Sequence, residues 1–186
     1  MGLFGGLFGK KTEKATAFSS KSYSIDIRDD GFVINGTKLD LPIHIDALTA
    51  VLGKPRSVSF KTKAEDRAFL EELHSEPVTN RVNYTWDALG LMCYTYNGKV
   101  VNTFGICTQP PTNNSPSNPK EIFEGTLTVN GQPWLPVVKA GKDCEVMREV
   151  YMGNYLISAE YTDFMQDDAT RDETGFTGLE IQLQYK

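Results

Sequence analysis

The sequence predicts an α+β fold, an antiparallel sheet with short helices on one face, and three observations predict it. Apolar residues alternate over short stretches between Asn-Gly and Asp-Gly turns, which is the period of half-buried strands. Brief segments show helical spacing instead, with a capping residue in front and glycine behind. Residues 108–120, rich in proline, asparagine and serine, separate two stretches in which similar turn and strand signals recur in the same order. Two similar halves are one reading of that recurrence; coincidence among common turn residues is the other.

Residues 1–20 read as a flexible tail. The opening repeats Gly-Leu-Phe-Gly and then turns basic at Lys10 and Lys11. Wound into a helix, Leu3, Phe4, Leu7 and Phe8 share an apolar face followed by two lysines, the chemistry of an interfacial membrane contact. Four glycines in the first nine residues oppose that helix in water, so a frayed terminus is the competing reading. Gly6 stands where a myristoylation pattern asks for Ser or Thr.

Residues 21–107 form the first half. Tyr23, Ile25, Ile27, Phe32, Ile34, Leu39 and Leu41 alternate as strands, broken at Asp29-Asp30-Gly31 and at the hairpin signal Asn35-Gly36. A short helix follows Pro42, with Asp46 as its cap, Leu48, Val51 and Leu52 facing the core and Gly53 ending it. Residues 64–74 are expected as a surface helix inserted between strands. Residues 84–86, 91–96 and 100–107 read as an antiparallel meander turning at Asn97-Gly98. After the 108–120 connector, residues 121–186 form a second half packed on the first: a strand at 123–129, a turn at Asn130-Gly131, a helix at 144–152, and closing strands at 155–161 and 178–185.

The run from Gly31 to Pro42, then Leu52-Gly53-Lys54-Pro55, then Tyr84-Thr-Trp86-Asp87-Ala-Leu-Gly90-Leu91, resembles an uncharacterised bacterial domain family with an Asn-Gly, Leu-Pro, Leu-Gly-x-Pro, Tyr-x-Trp-Asp-x-Leu-Gly pattern. The resemblance covers residues 23–107 and implies a source and a fold type rather than a reaction. Helix-plus-meander halves also resemble β-lactamase inhibitor protein and small outer-membrane assembly lipoproteins, which bind proteins through a sheet face. No lipobox cysteine precedes the domain, a departure from the lipoproteins.

With 19 basic and 24 acidic residues the net charge is −5, which argues against a protein that tracks nucleic-acid phosphates. No run approaches the roughly 20 apolar residues of a membrane span. Cys93, Cys107 and Cys144 lack CxxC spacing and read as free thiols of a reducing compartment, so the expected address is cytoplasmic, with the inner-membrane periphery as the variant. His44 and His74 lie in no HExxH frame, and neither GxSxG nor a phosphate-binding glycine loop occurs, so no catalytic residue, metal or cofactor is expected. Asp163, Asp167 and Asp168 belong to an acidic run that misses the EF-hand spacing and reads as a solvated loop or as a contact for a basic partner. Tyr84, Trp86, Tyr94 and Tyr96 fall at even positions and are expected on one sheet face, as core or as an aromatic binding surface, with Asp87 a turn residue or part of that surface. The function expected is protein binding without catalysis, of the immunity or inhibitor type. A peripheral membrane or envelope adaptor is the alternative and an enzyme the third reading.

Overall fold

The computed structural model describes residues 19–74, 77–111, 115–162 and 175–184. Strands β1 (Ser24–Arg28), β2 (Gly31–Ile34) and β3 (Thr37–Leu39) come first. β1 buries Ile25 and Ile27 and turns the polar residues between them outward. Asn35 at φ 48° and Gly36 at φ 83° close the two-residue turn that pairs Ile34 with Thr37, a conformation that suits these two residue types. β4 (Ile43–His44) leads into helix α1 (Ile45–Leu52), whose Ile45, Leu48 and Leu52 are buried. The helix is capped by His44, whose Nδ1 accepts from the Asp46 N–H at 3.3 Å, rather than by Asp46. Ile45 is the first residue of the apolar face, so the helix starts earlier than the carboxylate suggests. Gly53 at φ 80° ends it.

Then follow β5 (Arg56–Lys61), α2 (Ala64–His74), β6 (Asn80–Trp86), β7 (Leu91–Thr95), β8 (Val100–Val101) and β9 (Thr103–Cys107). After the connector come β10 (Thr126–Val129), β11 (Gln132–Pro133), α3 (Trp134–Lys139), β12 (Lys142–Asp143), β13 (Met147–Met152), β14 (Tyr155–Tyr161) and β15 (Phe176–Leu183). The helix expected at 144–152 is thus strand β13, and the helix lies earlier, over Trp134–Lys139. Pro136 sits in the first turn of α3, where a missing N–H costs nothing because that N–H has no helical acceptor. Residues 147–152 pair with β14 along six positions, and this ladder overrides their helical spacing.

Two sheets enclose the core. The smaller has the order β11-β10-β1-β2-β3 and the larger β12-β13-β14-β15-β9-β7-β6-β5, with a short β4-β8 pair beside them. β1 and β10 run parallel, a departure from the all-antiparallel expectation, while the other paired strands are antiparallel. The large sheet joins at β9 and β15, and outward from that seam each half contributes its strands in reverse chain order. Phe32 of the small sheet stacks on Phe104 of the large one at 5.2 Å, and Trp134 of α3 meets Phe176 edge-on at 6.2 Å. Leu48 of α1 and Val138 of α3 are fully buried in the same cluster. α2 stays outside it, with Phe69 65% exposed.

Candidate functional site on the outward face of the large sheet

The two faces of the large sheet follow from its register. Trp86 pairs with Leu91 across the Asp87–Gly90 turn, so odd and even residues stand opposite each other. Tyr84 therefore neighbours Cys93 on the inward face, where Trp86 is 4% exposed and its Nε1–H donates to the Gly53 carbonyl at 2.7 Å. Tyr94 instead lies opposite Asn83 and Thr103 on the outward face. The expectation of one face for Tyr84, Trp86, Tyr94 and Tyr96 is corrected here. Equal parity on two strands means opposite faces when paired positions sum to an odd number. Tyr84 and Trp86 are thus core residues. Tyr84 is half-buried against the cluster, and its hydroxyl donates to the Gly98 carbonyl at 3.0 Å.

Asp87 holds the connector. Arg56 donates from Nε and Nη2 to the two Asp87 carboxylate oxygens, each at 2.8 Å, and from Nη2 to the Asn118 carbonyl at 3.0 Å and from Nη1 to the Pro116 carbonyl. The Asp87 carbonyl accepts from the Glu121 N–H at 3.1 Å. The guanidinium holds the Asp87 carboxyl below the usual carboxylate range. Nearby, the Thr85 hydroxyl donates to the Ser117 carbonyl at 3.0 Å, so the connector crosses the outward face of β6.

Beside this wall the outward face carries two adjoining clefts, of about 490 Å3 and about 390 Å3. Arg81, Tyr94, Thr103 and Phe60 line the first; Ser158, Glu160, Thr177 and Met147 line the second; Met92, Asn118 and Glu180 belong to both. Gly105 deepens the floor, since a Cβ there would stand 3.1 Å from the Met92 Cγ that now occupies the space. The Arg81 guanidinium lies over the Tyr94 ring at 4.4 Å, its Nε donates to Asn83 Oδ1 at 3.0 Å, and Tyr96 meets Tyr94 edge-on at 5.7 Å. Burial pushes the Tyr94 hydroxyl up. Glu180 is open to solvent from above yet crowded by the cleft floor. Desolvation, opposed by the Arg81 charge and reinforced more weakly by that of Glu160, raises its carboxyl above the ordinary value.

Arg81, Asn83, Met92, Thr103 and Glu180 were not legible as site residues. Their signal was register parity, which depends on knowing that the β6–β7 connection has four residues. Asp163, Asp167 and Asp168, and likewise Leu3, Phe4, Leu7 and Phe8, lie outside the described residues. Cys93, Cys107 and Cys144 are free, and burial raises the thiols of Cys93 and Cys107. Among the described residues no group of three or more His, Cys, Asp or Glu side chains is placed to hold a metal ion, and no helix is long and apolar enough to cross a membrane.

A family model described as a domain of unknown function, DUF7738, matches residues 24–142. The chain belongs to that family. The DUF7738 match runs from β1 to β12, so it carries the likeness past the connector, beyond the residue 107 at which the sequence motifs stop. It takes in the Arg56–Asp87 clamp and the Arg81–Tyr94 stack, whereas Glu160 and Glu180 lie after it. No curated protein and no solved structure matches the chain.

Proposed function

We propose that this DUF7738 chain is a non-enzymatic protein-binding module that takes its partner on the outward face of the large sheet. The observation that carries the reading is the Arg81–Tyr94–Tyr96 stack beside two adjoining clefts. Arginine and tyrosine are among the residues that concentrate binding energy at protein interfaces, methionine is enriched there, and a ring pre-ordered by a guanidinium loses little freedom on contact. The net charge of −5 favours a basic partner by steering, which fits an inhibitor or immunity protein of the cytoplasm. The same succession of hairpin, helix and strands on either side of the connector supports descent of the two halves from one duplicated unit.

Affinity capture of the tagged full-length protein from its own cells, at low and high salt, tests the reading when run beside an Arg81→Ala, Tyr94→Ala double variant. A stoichiometric partner held by the parent protein and lost from the double variant is the expected result. A partner retained undiminished by the double variant refutes the assignment of this face. Peripheral membrane contact through Leu3, Phe4, Leu7 and Phe8 is the second reading and rests on their apolar spacing ahead of Lys10 and Lys11; it expects membrane recovery to fall when all four become Ser.

A further inference from the structure

Resting on the protein-binding reading, we propose that the groove receives a lysine or arginine side chain of the partner, seated between the outward carboxylates of Glu180 and Glu160. Glu180 pairs with Ser158 and Glu160 with Gly178, so the two acids are diagonal neighbours on adjacent strands of one face. At such positions backbones are about 7–8 Å apart, a gap that one long cationic side chain spans. Among the described residues neither carboxylate accepts a hydrogen bond or joins an ion pair, and the Glu160 charge disfavours the charge on Glu180. Arg81, the cation among the residues lining the two clefts, is stacked on Tyr94 and bonded to Asn83, and its charge reaches Glu180 without forming an ion pair.

The surroundings suit a long cation better than a bulky apolar group. Gly105, opposite Glu180 on β9, and Gly178, two residues before it on β15, put no side chain beside Glu180, and a Cβ on Gly178 would stand 2.4 Å from the Ile106 carbonyl oxygen. Ser158 and Thr177 supply neutral acceptors around the acids for the N–H groups a carboxylate leaves unpaired. An incoming cation relieves the mutual repulsion of the acids, and it enters a cleft where water screens the attraction less than on an open surface.

The test uses the full-length protein and heptapeptides of Gly and Ser that differ only at a central Lys, Arg, Ala, Glu or Phe, followed by amide chemical-shift titration at low salt. Lys- and Arg-centred peptides are expected to bind about tenfold tighter than the Ala-centred one, with shifts concentrated at residues 158, 160, 178 and 180. That advantage disappears in Glu180→Gln and survives in Glu65→Gln, a carboxylate on exposed α2. Equal affinity for Lys- and Ala-centred peptides, a preference for Phe or Glu, or equal losses in the two variants overturns the proposal. If the Arg81, Tyr94 double variant loses its captured partner while the peptides show no basic preference, the occupant is wrong and the face is right. If the partner is retained and the basic preference holds, the carboxylate pair seats a cation and the Arg81–Tyr94 stack is not where the captured partner docks.

Discussion

Asp87 stood among the candidate contact residues on the strength of its place after Trp86, and its side chain is instead spoken for by Arg56. Because the pair is bidentate and largely shielded from water, removing one partner leaves a charge without its counterpart. Asp87→Asn is expected to lower the unfolding free energy by about 2 kcal/mol at pH 7, read from urea midpoints at unchanged slope. The folded-state pKa lies below the unfolded one, so the contribution is complete above about pH 4 and is lost as pH falls through the lowered folded value. The gap between parent and variant therefore closes in acid. Glu180 has the opposite sign. Its folded pKa is raised, so the ionised form is disfavoured in the native state and costs stability at neutral pH. Glu180→Gln is expected to raise the unfolding free energy slightly at pH 7, by less than about 1 kcal/mol because water still reaches the carboxylate, and to leave it unchanged at pH 3.5.

Elements that declare themselves locally were legible. Asn35-Gly36 and Asn130-Gly131 each close a two-residue hairpin with positive φ at both positions, as their residue types require. Residues 144–152 carry apolar spacing that suits a helix as well as a strand, and the partner that decides between them, β14, comes later in the chain. Gly90 shows how a turn serves two elements. At φ 68° it reverses the chain between β6 and β7, and a Cβ there would stand 2.2 Å from the Phe123 backbone nitrogen. Gly90→Ala is expected to cost at least about 3 kcal/mol by chemical denaturation, from positive φ and backbone collision together. α2 makes the contrary prediction. Phe69→Ser on its exposed face is expected to change stability by less than about 0.5 kcal/mol.

At the scale of the molecule, the pairing that binds the halves escaped the sequence. β1 runs parallel to β10, about a hundred residues away, and Asp26 of β1 accepts from the Thr128 hydroxyl at 2.7 Å and the Gly131 N–H at 2.9 Å. Nothing local encodes such a partnership, since parallel strands cannot be joined by a tight turn. Joined there and at the β9–β15 seam, around one core, the described halves are expected to unfold in a single transition by circular dichroism and by tryptophan fluorescence, with coincident midpoints. The outward face of the large sheet was half legible. Tyr94 and Tyr96 were noticed as aromatic residues of a strand, but Arg81 and Glu180 needed the register of four strands to become their neighbours. Photo-crosslinking in living cells, with the crosslinking residue placed at Phe60, which lines the first cleft and is exposed, or, for comparison, at Val33 on the small sheet and Phe69 on α2, tests the claim that this face is the binding surface most directly. A discrete protein adduct from position 60 and none from 33 or 69 is the predicted result; an adduct from 33 or 69 with none from 60 contradicts it.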